Sequence, residues 1–83
     1  MINVIISPKA SENAIKYQVK RKLDKAVNYL RVNPKQPSLD YKPLDATNNK
    51  VWRFRVNDHY WGLVIKPINT INTLTVYNII KHP

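Results

Sequence analysis

Val51-Trp52-Arg53-Phe54-Arg55-Val56 alternates large apolar side chains with two arginines. A period of two is the signature of a half-buried strand, because successive side chains leave opposite faces of the pleat. Trp52, Phe54 and Val56 therefore belong to an interior layer, with Arg53 and Arg55 on the other face. Asn57-Asp58-His59 follows as a hairpin connection, without the glycine of the tightest turns. Tyr60 to Lys66 reads as a second strand ended by Pro67, and Ile68 to Thr73 as a further turn region. Leu74 to Ile80 is the last strand. It is apolar on both faces at Val76, Tyr77, Ile79 and Ile80, which suits a central position in the sheet.

Upstream of this meander the period changes. Ile15, Val19, Leu23, Ala26, Val27 and Leu30 recur at intervals of three and four, an apolar stripe on a helix running to about Val32. Ser11 is placed to cap that helix and Glu12 puts negative charge in its first turn. A break between Ser11 and Gln18 would split it in two, and both versions stay open. Asn33-Pro34 ends it. Residues 34 to 50, with Pro34, Pro37, Pro43 and the polar run Asp45 to Lys50, read as a loop with a brief extended piece at Leu39 to Leu44. Ile2 to Ser7 is a short strand that Pro8 stops. The sum is one α+β domain over residues 1–83: an N-terminal strand, one or two helices, then a three-stranded antiparallel meander forming one sheet packed by helix.

Fourteen Lys and Arg against five acidic residues leave a formal charge of +9 on 83 residues. Such a surplus usually implies a polyanionic partner, with nucleic acid, ribosomal RNA, an acidic membrane surface and an acidic protein all compatible and simple solubility charge as the bland alternative. There is no cysteine, so neither a disulfide framework nor a thiolate metal site is expected. The N-terminus lacks the basic leader and apolar length of a signal peptide, and no stretch approaches a membrane span. A soluble cytoplasmic protein is expected, with no membrane binding.

Arg53 and Arg55 on one rigid strand form a fixed fork for phosphate oxygens. The bland reading is a solvated face on which they pair with Asp58 or Asp45. His82, beside Lys81, is the candidate general acid or base for phosphodiester chemistry, although alternation does not by itself carry it to the arginine face. His59 is read as an ordinary turn residue. A single glycine, Gly62, excludes a phosphate-cradling loop, and no His, Asp or Glu cluster has metal-ligand spacing. No cofactor and no metal are expected. Lys20 and Arg21 on the helix, Lys50 before the arginine strand, and Lys81 are candidate RNA contacts. Trp61 is either a base-stacking residue or, as the safer reading, an extension of the core.

The run Asn33-Pro34-x-x-Pro37-Ser38-Leu39-x-x-Lys42-x-Leu44, then Val51 to Tyr60, then Val76-Tyr77-Asn78-Ile79-Ile80-Lys81-His82, resembles the RelE/ParE toxin superfamily in order and spacing. The resemblance covers most of the chain from residue 15 onward. It implies a β–α(–α)–β–β–β domain and the toxin half of a type II toxin–antitoxin system. For RelE-type members it implies a ribosome-dependent mRNA interferase, an endoribonuclease that inhibits translation by cutting mRNA in the ribosomal A site. The ribose 2′-hydroxyl attacks the adjacent phosphate, so the protein must manage two proton transfers and a charged phosphorane. Arg53 and Arg55 match the family's basic positions on the second strand, and Lys81 or His82 its basic or His residue after the last strand.

Two positions depart from the pattern. Trp61 stands where an Arg usually follows the Tyr of the third strand, and Pro83 where an aromatic hydroxyl often follows. Two alternatives therefore stay open: a non-enzymatic ParE-like binder of DNA gyrase, or a degenerate toxin-like module that binds RNA or a partner. The expected partners are a cognate acidic antitoxin, together with mRNA and the ribosome, or DNA gyrase in the first alternative.

Overall fold

Ser7 and Pro8 turn the chain from strand into helix within two residues. Ser7 is extended, and its Oγ accepts a hydrogen bond from the Ala10 N–H at 3.1 Å. Pro8 then occupies the first helical position, where its missing N–H costs nothing and its fixed φ is already helical. The computed structural model, which describes residues 2–44, 50–65 and 72–82, thus has β1 at Asn3–Ile6, α1 at Pro8–Lys16 and α2 at Lys20–Val32. A 3₁₀ turn at Pro37–Leu39 leads to the short β2 at Lys42–Pro43. β3 at Val51–Arg55, β4 at Tyr60–Ile65 and β5 at Thr73–Lys81 follow.

This corrects the expected helix start. Ser7, not Ser11, is the cap, and the helix begins three residues before Ser11, so Glu12 lies beyond the first turn. Pro8 does stop the strand, as expected, and the same residue starts the helix. The open question of a break resolves to two helices. Tyr17 ends α1 and Gln18 takes a left-handed φ of 60°, which reorients the chain before α2. The turn also removes Ile15 from the apolar stripe, leaving it 63% exposed. Ala10 and Ala14, one turn apart and fully buried, form the packing face of α1, which lies along β5. From α2, Leu23, Ala26, Val27 and Leu30 enter the core as the stripe requires.

The sheet has five strands in the order β1-β5-β4-β3-β2. The β3–β4–β5 meander is antiparallel as expected, while β1 joins β5 in parallel and β2 adds an antiparallel edge to β3. β5 is therefore interior, between β1 and β4. A register shift at Leu63/Val64 pairs Leu63 with Asn78 but Val64 with Val76, so Tyr77 is the extra residue of a bulge. The bulge lets Val76 and Ile79, three apart, both face the core. Phe54 is fully buried there, opposite Gly62.

The sheet edges are managed. The Arg31 guanidinium donates to the Val4 carbonyl at 3.3 Å and Ile2 N–H to the Arg31 carbonyl at 3.0 Å, so the end of α2 covers β1. The opposite edge carries Pro43, which cannot donate to an added strand. Among the described residues no polar side chain is fully buried, and no helix is long and apolar enough to cross a membrane. The expected turn residues Asp45 to Asn49 and Ile68 to Ile71, and the strand end at Lys66 and Pro67, lie outside the described residues.

Candidate nucleic-acid interface

Because Phe54 points into the helix-covered face, its neighbours Arg53 and Arg55 project from the open face of the sheet. The β3–β4 register sets Arg55 opposite Trp61. Trp61 therefore belongs to the arginine face and is not a member of the core, which corrects the expectation that it extends the core. The cause is the hairpin. Asn57 Oδ1 accepts from His59 N–H and Tyr60 N–H at 2.8 and 2.9 Å, and this fixes which β4 side chains face inward.

Arg53 is the more enclosed of the two, with its side chain 17% exposed. Its Nη1 donates to the Asp40 carboxylate at 3.1 Å and to the Asp40 carbonyl at 3.4 Å. The guanidinium carbon stands 4.3 Å from the centre of the Trp61 ring, within cation–π range. Asp40 itself takes a left-handed φ of 48° at the end of the 3₁₀ turn and also pairs with Lys42 at 3.0 Å. The Lys42 and Arg53 hydrogen bonds hold its carboxyl below the ordinary 3.8. Arg55 pairs with Asp58 in the β3–β4 turn, one of the two acids anticipated for it. Asp45, the other, lies outside the described residues, and the acid beside Arg53 is Asp40.

His82 reaches the same place from the end of β5. Its backbone N–H donates to the His59 carbonyl at 2.6 Å, and its ring lies 4.4 Å from the Trp61 ring at 73°. Asp40, Arg55, Asn57, Asp58, Trp61 and His82 line a hollow of about 230 Å³. Arg55 also opens onto a groove of about 350 Å³ between α2 and the 3₁₀ turn, lined by Lys22, Lys25, Tyr29, Gln36 and Ser38 among others. The hollow and the groove share Arg55, and a third depression lined by Lys22, Ser38, Arg55, Val56, Asn57 and Asp58 lies between them.

The structure thus brings together Arg53, Arg55, Trp61 and His82. It does not bring the other candidates to them. Lys81 is the cross-strand neighbour of Tyr60, whose ring stacks on Tyr17 at 4.7 Å on the helix-covered face. Lys20 pairs with Asp24 along α2, and neither Lys20 nor Arg21 lines the hollow or the groove. Lys50 is exposed just before β3. Missed from sequence were Lys22 and Lys25 as groove residues, and Asp40 as the partner of Arg53. Lys22, Lys25 and Tyr29 stand at i, i+3 and i+7, a helical face that spacing alone could have singled out. Asp40 carries no such signal. Among the described residues no group of His, Asp or Glu could hold a metal ion.

No family profile and no curated protein matches this sequence. Solved structures do match it, over nearly the whole chain. A YoeB/ParE toxin from Agrobacterium tumefaciens superposes with a TM-score of 0.74 at 11% identity, covering 99% of this chain and 100% of that one. The heterotetrameric YoeB–YefM toxin–antitoxin complex from Staphylococcus aureus gives 0.70 at 15% identity, covering 100% and 99%. YafQ from E. coli strain BL21(DE3) gives 0.72 at 15% identity, covering 99% and 94%. The architecture is the small α+β fold of these solved proteins. It is RelE/ParE-like, as the resemblance in sequence implies, with β2 as one more strand than expected.

Proposed function

We propose that the chain is the toxin of a type II toxin–antitoxin pair and acts in the cytoplasm as a ribosome-dependent mRNA interferase. The observation that carries this reading is the convergence of Arg55 and His82 on one open hollow whose wall, Trp61 and Asp40, holds Arg53, with a basic groove meeting the hollow at Arg55. Arginine stays protonated, so Arg53 and Arg55 are suited to bind the scissile phosphate and stabilise the phosphorane, not to take a proton. His82 is the group able to move one, at the 2′-hydroxyl or at the leaving 5′-oxygen. Lys22 and Lys25 would carry the flanking backbone, and an acidic antitoxin would cover the same positive surface. The YoeB–YefM complex supports such a partner by analogy of fold.

Expression in a bacterial host tests this. The wild-type chain arrests growth and cuts mRNA, whereas Arg53→Ala, Arg55→Ala and His82→Ala each relieve it. Arrest that survives all three substitutions removes the assignment. One observation favours a second reading, a non-enzymatic ParE-like binder of gyrase: each arginine already faces a carboxylate, as in a fixed protein surface. That reading predicts a DNA-damage response with intact mRNA.

A further inference from the structure

Trp61 occupies the centre of the cluster without any role that its neighbours share. We propose that Trp61 is a positioning residue, a rigid platform that seats both the Arg53 guanidinium and the His82 imidazole and so sets the phosphate-binding and proton-moving groups relative to each other. The proposal deepens the RNA-cleaving reading and rests on it only for what the two groups do, not for where they are held.

The geometry carries it. Arg53 stands 4.3 Å from the ring centre and His82 lies 4.4 Å from it, nearly perpendicular. One indole therefore touches two side chains that arrive from different strands, Arg53 from β3 and His82 from beyond β5. Trp61 lies on β4 between them in the sheet, paired with Arg55 on one side and Ile80 on the other. A histidine at the exposed end of a strand would otherwise sample many rotamers, and an arginine more. A planar ring held by the sheet restricts both, and the Asp40 carboxylate also holds Arg53 through a hydrogen bond of 3.1 Å. The cation also meets the negative face of an aromatic ring, which favours contact over an aliphatic residue of equal size. Shape alone would not require an aromatic ring here.

The first test reads the seat without any substrate. In the full chain with Trp52→Phe, Trp61 is the sole tryptophan, and a protonated imidazole in contact quenches indole emission. The groups around His82 that could also affect the ring are Arg53, Arg55, Asp40, Asp58 and His59. Measured at pH 5, emission is expected to rise by a clear step on adding His82→Gln and to stay unchanged on adding His59→Gln. Emission unchanged by His82→Gln, or raised equally by His59→Gln, overturns the platform.

The second test reads its use. Trp61→Leu should lower kcat on mRNA in programmed ribosomes about 10- to 100-fold, the scale of a small misplacement of reacting groups, with little change in KM. It should also alter the pH profile. Trp61→Phe should restore most of the rate. Equal rates for wild type and Trp61→Leu overturn the proposal while leaving the RNA reading intact. The emission step on adding His82→Gln, with no mRNA cut by the wild-type chain, overturns the RNA reading and supports the platform.

Discussion

Replacing Gly62 by alanine probes the packing that aligns β3 with β4. Gly62 sits opposite Phe54, and an ideal Cβ there would lie 2.2 Å from Phe54 Cζ and 2.4 Å from Cε1, where ordinary contact begins at 3.4 Å. The glycine has no positive φ, so backbone strain plays no part. An alanine is intrinsically better than glycine in a strand by roughly 0.5–1 kcal/mol. Against that, Phe54 is fully buried, and its ring must move by more than an ångström in a close-packed interior. Overpacking of this kind costs about 1–3 kcal/mol, and the upper half of that range applies to a rigid ring. The clash therefore wins, with a net loss of about 2 kcal/mol. For a domain of this size that is a fall of about 8–16 °C in Tm. Thermal and urea unfolding measure it, and the double variant with Phe54→Leu should recover part of the loss through a coupling of about 1 kcal/mol or more. A Gly62→Ala variant within about 0.5 kcal/mol of wild type, the range of an ordinary surface change, would mean that the Phe54 ring yields without cost and that this contact does not align the strands.

Three further outcomes follow from single contacts. Ser7→Ala removes the α1 cap and the hydrogen bond from Ser7 Oγ to the Tyr77 carbonyl, and should cost about 1–2 kcal/mol in urea unfolding, whereas Ser11→Ala should cost little. Asp40→Asn keeps a residue that tolerates the left-handed backbone but removes the charge beside Lys42 and Arg53. Because the folded carboxyl lies below 3.8, its contribution is present above that pH and lost as pH falls through the folded value. Wild type should therefore lose this small contribution, under about 1 kcal/mol at a partly exposed site, only on strong acidification, and Asp40→Asn should lack it at every pH. Asp58→Asn releases Arg55 and should tighten binding of single-stranded RNA by up to about fivefold at low salt, measured by fluorescence anisotropy, with the gain fading as salt rises. Weaker binding would place Asp58 in a supporting role.

Much of the fold was legible because the period of the apolar residues changes where the elements change. The alternation from Val51 to Val56 and the Leu23–Leu30 stripe needed no tertiary information. The helix start was misread because Pro8 satisfies two rules at once, closing a strand and opening a helix, and the choice depends on Ser7 reaching Ala10. The parallel pairing of β1 with β5 brings together residues 70 apart, and nothing local encodes it. Within the site, the two arginines followed from alternation. Trp61 did not, because a large aromatic residue is by default an interior one. Yet its neighbour Gly62 faces the core, where the Phe54 ring leaves no room for a side chain. His82 reaches the arginine face through the bulge at Tyr77 and its bond to His59, neither of which spacing reveals.

The claim that this surface cuts RNA is tested most directly with purified ribosomes paused on a defined mRNA, mapping 5′ ends by primer extension after adding the protein. The expected result is a cut in the A-site codon that requires the ribosome, leaves a 2′,3′-cyclic phosphate, and falls at least about tenfold with Arg53→Ala, the loss of one charge-assisted bond. Intact mRNA, or cleavage unaffected by that substitution, would contradict it.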